Sequence, residues 1–300
     1  MHEQRGRNML LQQLLGGISI GFIYAIVAVG YSLVFGVLGI MNMAHASTFT
    51  LGAHFILMFI TMNFGVIPGF IASLILTGII NMCYDSFILS PLRSRPGGTG
   101  ITVLITAIGF NYILQNLCLV IWGSERKAFP NIFNFGTLQL FGYAIDSTQV
   151  SIIIVSVVLL ALLSYLLYGT NFGLAMRAIQ QNMKASKLMG INTKMVISVT
   201  FFISGASAVV ASFMVASYYQ LVYPTMGITL GAKAFASAVL GGLGLLHGAA
   251  VGGLVIGILE CIAVMVFGGT YRDAVAFIIL ILVLCVKPTG LFGKKIDQKV

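Results

Sequence analysis

Long apolar runs separated by short polar stretches recur along the chain. They place spans at Met9–Val29, Ser47–Asn63, Val66–Leu89, Ile101–Trp122, Gln149–Tyr168, Val196–Tyr219, Ala249–Phe267 and Asp273–Val286. About 20 apolar residues cross the hydrocarbon of a bilayer as a helix, so these eight read as full spans. Two further pieces, Gly30–Met41 and Gly227–Leu246, are short and Gly-rich. They read either as broken, half-spanning helices or as two more crossings. The alternating pattern of a membrane barrel is absent, and lipid tolerates no open sheet edge. The predicted fold class is therefore all-α, a polytopic integral membrane protein. An echo of Gly17-Ile-Ser-Ile-Gly21 in Gly227-Ile-Thr-Leu-Gly231, and of Gly36-Val-Leu-Gly39 in Gly241-Gly-Leu-Gly244, suggests internal duplication. Paired broken helices in duplicated halves are one way a transporter builds a path at the membrane midplane.

One segment breaks the apolar pattern. Residues Asn171 to Met195 are polar and basic, and they read as a short amphipathic helix between two spans. Phe172, Met176, Ile179 and Met183 share a face, Arg177, Gln181 and Lys184 lie opposite, and Lys187 stands at the edge. Asn171 suits the start, Gly190 the left-handed residue that ends a helix, and Asn192 or Thr193 the cap of the next span.

Composition agrees with the pattern: 59% of residues are hydrophobic and 8% are charged. The net charge of +9 is accounted for by topology and leaves no soluble domain for nucleic acid. The leader His2–Asn8 carries +1, the Arg93/Arg95 loop +2, the central loop +4 and the tail from Lys287 +3, whereas the Gly123–Ser147 loop is balanced. Both termini, the Arg93 loop and the central loop are accordingly expected on the cytoplasmic side. Cys83, Cys118, Cys261 and Cys285 stand singly, without metal-ligand spacing. The first apolar run lacks a cleavage pattern and is expected to remain as a span.

Few polar residues lie inside the apolar runs. Glu260 is costly there unless it is paired, protonated or facing a cavity, so it is a candidate for either a pathway or a structural role. Asn42 and His45 follow the first Gly-rich piece, with His54 beyond; capping and interhelical hydrogen bonds compete with a pathway role. Asp85 and Lys233 read as snorkelling side chains near span ends. Neither a His-Glu-x-x-His run nor a Gly-x-Ser-x-Gly elbow occurs, so no catalytic residue is expected.

A set of motifs runs in order through almost the whole chain. It comprises Gly30-Tyr-Ser-Leu-Val-Phe-Gly36, Asn42-Met-Ala-His45, Leu51-Gly-Ala53, Arg177-Ala178 and Leu188-Met-Gly-Ile-Asn192. Gly231-Ala-Lys-Ala-Phe235, Val239-Leu-Gly-Gly-Leu-Gly244, Glu260 and Lys287-Pro-Thr-Gly-Leu-Phe-Gly293 complete it. The set resembles the permease subunits of branched-chain amino acid ABC importers, and the short leader resembles the smaller of the two permease types. The resemblance implies one transmembrane permease domain over residues 1–300, with a cytoplasmic coupling-helix loop at 171–195. It implies a translocation path for branched-chain or related amino acids, in the inner membrane of a bacterium or archaeon. The implied partners are a second permease subunit, two ATPase subunits, an external amino-acid-binding protein and membrane lipid. No cofactor is expected in this chain, ATP and Mg being bound by the ATPase subunits. Coupling would then fall to Met176, Arg177, Ala178, Ile179, Met183, Lys184, Lys187 and Gly190, and the path candidates are Asn42, His45 and Glu260. A urea- or amide-type permease and an ion-coupled secondary transporter are the alternatives.

Overall fold

The computed structural model describes residues 2–95, 99–133, 136–140, 143–287 and 289–293, with side chains beyond 2–12, 137–140 and 143–145. In chain order the elements are α1 (His2–Leu38), α2 (His45–Thr61), α3 (Val66–Cys83) with a π-helical extension Tyr84–Leu89, α4 (Ser90–Ser94) and α5 (Gly100–Trp122). Strands β1 (Lys127–Ala128), β2 (Thr137–Leu140) and β3 (Tyr143–Asp146) precede α6 (Ser147–Gly169), α7 (Asn171–Gln181), α8 (Met183–Leu188) and α9 (Thr193–Tyr219). Strand β4 (Leu221–Val222), α10 (Met226–Gly241), α11 (Leu246–Phe267) and α12 (Arg272–Val286) complete the order. Seven helices among the described residues are long and apolar enough to cross a membrane, and α2 and α10 are shorter apolar helices. The all-α expectation holds; the strands are short pairs, β1 with β4 and β2 with β3.

Two helices form the centre. The most apolar stretches of α1 and α9 are 83% and 72% buried, whereas that of α12 is 6% buried. A helix apolar on every side belongs in a core, and one with an exposed apolar face belongs against lipid. Against α1 runs α11, antiparallel and very close. Gly17, Gly21 and Ala25 present one small-residue stripe, and Gly253, Gly257 and Cys261 present its counterpart. A Cβ on Gly257 would stand 2.3 Å from the Gly21 Cα, and one on Gly253 2.3 Å from the Ala25 nitrogen. Lipid tails leave no hydrophobic drive between helices, so backbone proximity and van der Waals contact supply the association.

The broken piece expected at Gly30–Met41 is instead the end of α1, which runs unbroken to Leu38. Its glycines act as contact points: the His45 ring occupies the space a Cβ on Gly30 would need, and Gly36 lies against Gly244. The chain turns only at Gly39, where φ is +65°. The first short helix is therefore α2, which the apolar pattern presents as a full span. Seven helices have the length and apolarity of a span, where the pattern gives eight, and α2 is one of the two short ones.

The packing pairs describe two inverted units. α1 and α9 are antiparallel: Gly16 meets Tyr218, and Gly30 meets Ser207. Each is followed by a short helix, α2 or α10, and then by a span, α3 or α11, that packs on the other unit's long helix. The N-terminal ends of the short helices meet inside the bundle, where the Gly227 N–H donates to Thr50 Oγ1 at 3.0 Å. This arrangement matches α1 to α9, so the sequence echo between α1 and α10 does not mark the repeat.

Helices α1, α2, α3, α5 and α6 run alternately up and down the bundle before α7, an odd number that puts the start of α1 at the end opposite α7. Gly16 lies beside Gln149 and Tyr218, at the start of α6 and the end of α9, whereas Gly36 at the other end of α1 approaches Gln180 of α7. The end of α12 returns to the α7 face, where the Leu291 N–H donates to the Leu240 carbonyl. The start of α1 therefore lies at the end of the bundle opposite the central segment and the end of α12 at the same end as it, whereas the charges place both termini with that segment. The leader held the smallest charge excess of the four segments, too little to fix an orientation against helix packing. The leader charges Arg5 and Arg7, the tail charges Lys294, Lys295 and Lys299, and Pro288 of the terminal motif lie outside the described side chains.

Two outcomes test this architecture. Gly257→Val is expected to cost at least the 1–3 kcal/mol or so of an overpacked core, read as a lowered melting temperature in detergent, while Gly109→Ala, whose Cβ meets nothing within 4 Å, leaves it unchanged. Equal stability of the two variants would refute the close α1–α11 approach. In a chain cleared of native cysteines, Gln13→Cys and Leu291→Cys should be labelled by an impermeant thiol reagent from opposite sides of the membrane, and labelling from one side would refute the parity.

Candidate coupling segment and buried charge cluster

The polar segment folds as two helices, not one. The Thr170 hydroxyl accepts from the Gly173 N–H at 3.1 Å and caps α7, the role expected of Asn171. Asn182 leaves helical geometry at φ −158°, ψ 102°, and its side chain accepts from the Ala185 N–H to start α8. Gly190, at φ +85°, ends the segment as expected, and Asn192 caps α9.

The amphipathic face turns inward. Met176 and Ile179 are each 2% exposed, and Met176 packs beside Ser32, Leu33, Gly36, Val37 and Leu246. Arg177 donates to the Leu167 carbonyl and lies 5.4 Å over the Tyr168 ring, and Ala178 is half-buried. Met176 and Ile179 thus hold α7 to its own bundle and do not lie on its outer surface. A helix amphipathic beside a membrane bundle satisfies its apolar face on the nearest apolar surface, and that surface is the end of α1. The outward surface lies on α8: Met183, Lys184, Lys187 and Gly190 are exposed there, together with Leu188 at 88% and Met189 at 83%. Leu188 and Met189 were legible only as part of a motif, because the wheel drawn through a single helix hides them.

Behind the α8–α9 joint stands a buried ion pair. Asp85, in the π-helical turn after α3, accepts from Arg93 at 2.6 Å and from the Ser198 hydroxyl of α9 at 2.8 Å. It does not snorkel; it ties α3 and α9 together one turn above the start of α9.

On the opposite half of the bundle, Glu260 is 1% exposed. Its Oε1 accepts from Lys233 of α10 at 2.9 Å and from Arg272 at the start of α12, and Lys233 also pairs with Asp273 at 2.5 Å. Lys233 is likewise buried, not snorkelling. Sequence reading missed this cluster because its members come from three helices, with Lys233 and Glu260 27 positions apart. Removal of one member strands a buried charge, which lipid makes costly.

The other path candidates lie inside the protein. Asn42 accepts from the Ala44 N–H at 3.2 Å, and His45 stacks edge-on to Tyr31 with Nδ1 3.2 Å from Ser204 Oγ. Together they fix the return from α1 into α2. A further polar cleft lies elsewhere: Asn111 and Gln115 on α5 face Ser47, Thr50 and the start of α10 across about 10 Å3, room for roughly one water. Their i, i+4 spacing was the available signal.

Compared with known proteins, residues 13–284 match the family described as branched-chain amino acid transport system / permease component. The chain belongs to that family. It is 36% identical to the high-affinity branched-chain amino acid transport system permease protein BraD of Pseudomonas aeruginosa, over 97% of this chain and 98% of the relative. Permease protein LivH of Salmonella typhimurium is 35% identical, over 97% of each chain. Among solved structures, PsaBC from Streptococcus pneumoniae in complex with Fab has a TM-score of 0.53 at 13% identity, covering 93% of this chain and 92% of that one, a likeness of fold alone. Among the described residues no metal-binding cluster occurs.

The charge cluster gives a double-variant test. Glu260→Gln is expected to destabilise the protein by about 3–5 kcal/mol, the usual cost of breaking a buried pair. Adding Lys233→Gln should return part of the loss, as thermal unfolding in detergent would measure. Strictly additive losses would show that the two residues do not interact.

Proposed function

We propose that the chain is the permease subunit of a binding-protein-dependent ABC importer for branched-chain or related amino acids. The end-to-end similarity to BraD, 36% over 97% of the chain, carries the reading. In it, the chain pairs with a second permease subunit, an external binding protein delivers the amino acid, and two ATPase subunits bind ATP and Mg. The permease forms the path and performs no covalent chemistry. Its site is the inner membrane, with the α7–α8 face cytoplasmic, the start of α1 outside and the end of α12 inside. Three of the four positively charged segments then fall on the cytoplasmic side, in keeping with the usual charge bias.

The geometry supports a mechanism for the coupling. Helix α7 is anchored by Met176 and Ile179, whereas α8 presents Leu188 and Met189 to the cytoplasm, apolar groups suited to a groove on an ATPase subunit. Lys184 and Lys187 form the rim. Asn182 is the joint between the anchored and the presented helix, and α8 runs through Gly190 directly into α9. A displacement of α8 is passed to α9, and through Ser198–Asp85 to α3. Both α9 and α3 flank the interior junction of α2 and α10, where the path would open.

Replacing Leu188 and Met189 together with Asp should lower co-purification of the ATPase at least tenfold while the permease stays monodisperse. Met176→Asp should instead prevent folding, because it buries a charge within the bundle. Lys187→Ala should change little, exposed rim charges contributing about 0–1 kcal/mol. Full ATPase retention by the double variant would overturn α8 as the docking surface.

A further inference from the structure

In the middle of α3, α6, α11 and α12 every exposed residue is apolar, as with Ile71 and Ile75, Val158 and Leu162, or Ile278 and Ile281. The polar residues of α3 turn the other way, and Ser73, Thr77 and Asn81 are buried within the bundle. Helix α5 breaks this rule. Its most apolar stretch is only 17% buried, yet polar groups stand at its centre. Asn111, the midpoint of its 23 residues, and Gln115 are half-buried, Tyr112 is 59% exposed and Asn116 is exposed. The pairs Asn111/Gln115 and Tyr112/Asn116 each keep i, i+4 spacing on neighbouring faces, so the four form one stripe at mid-depth. Much of their hydrogen-bonding capacity is unused. Asn111 Oδ1 has no partner among the described residues. The Asn116 amide donates once, from Nδ2 to the Tyr112 carbonyl at 2.8 Å, which leaves an N–H and the amide oxygen. Such groups are costly against hydrocarbon.

We propose that this face of α5 is covered by the second permease subunit, and that its polar stripe lines the path between the two chains. The inference rests on the permease reading above and gives that reading a surface. Against lipid the three amides go unanswered, whereas a partner that brings polar groups to the same depth, with water between, satisfies them. The surface continues onto the start of α10, where Thr225 and Ile228 are exposed, and Asn111, Gln115 and Ile228 share the wall of the water-sized cleft. That cleft borders the junction of α2 and α10, where the Gly227 N–H meets Thr50 Oγ1. Gly109 lies one turn before Tyr112 on the same face, and a Cβ there would meet nothing within 4 Å, so the α5 backbone is open to close approach. By contrast, Asn42, His45 and Glu260 are buried within this chain. An uncharged wall of amides and a phenol both donates and accepts, and so solvates a passing polar solute without holding it by charge. The apolar middles of α3, α6 and α12 stay against lipid.

The test uses the complete complex, isolated from its own membranes through a tag on this chain and reconstituted in vesicles with its binding protein. With the photoreactive residue p-benzoylphenylalanine in place of Tyr112, illumination is expected to join this chain to a different permease chain, identified by the mass of the linked peptides. The same residue in place of Val158 on α6 should give no link to protein. A link from position 112 to lipid alone, or to a copy of this chain, would overturn the surface. The path is read after assembly, in a chain cleared of native cysteines. A bulky, water-soluble methanethiosulfonate reagent should attach to Gln115→Cys and lower leucine uptake at least tenfold, whereas Val158→Cys should leave uptake unchanged under the same treatment. Failure of Gln115→Cys to react, or full uptake once it has reacted, would overturn the lining role. Uptake by the untreated complex reads the permease assignment separately. Uptake without a link to a second permease chain fails the surface alone, and absence of uptake fails the assignment while the link still reports what covers α5.

Discussion

The backbone-to-backbone approach of α1 and α11 is the contact on which the rest of the structure depends. In lipid, two apolar helices gain little by burying side chains against each other, since the surrounding chains are equally apolar. What remains is density of contact, and the stripes Gly17–Gly21–Ala25 and Gly253–Gly257–Cys261 maximise it by removing the side chains between the backbones. That approach fixes α1 at the centre of the bundle. Its far end then becomes the apolar surface on which α7 rests, and α11 is held where Glu260 meets Lys233 and Arg272.

The two ends of the bundle are built for different purposes by different forces. At the α7–α8 end, packing anchors one helix and exposes the next, with Asn182 between them. At the opposite end, ion pairs dominate. Charges removed from water are costly unless paired, and Glu260, Lys233, Arg272 and Asp273 pair across α10, α11 and α12. Such a network is stiff, because every displacement unpairs a charge. The joint at the other end is held instead by the hydrogen bond from the Ala185 N–H to Asn182 Oδ1.

The inverted arrangement links the two ends. Because α1 and α9 run in opposite directions, each short helix enters from a different face and both N-termini arrive at one place in the interior. Helix N-termini carry unpaired N–H groups, so their meeting point is the part of the bundle least sealed by its own backbone.

By itself the sequence determined the class of fold, the family and the position of the polar segment, since apolar run length and the order of motifs are properties of the linear chain. It also marked Gly190 and Asn192, whose roles are local to one helix end. Only the tertiary structure decided what depends on neighbours. Gly30 and Gly36 read as helix breakers but are places where another residue fits, and a glycine's local freedom does not distinguish the two uses. The face of α7 read as free is occupied by α1, because amphipathicity specifies that a partner exists and not which. Asp85 and Lys233 looked able to reach water, and the pairing that keeps each buried comes from residues distant in the chain. The end of the bundle at which α1 begins was likewise set by its packing beside Gln149 of α6 and Tyr218 of α9, neighbours that its own few charges do not specify.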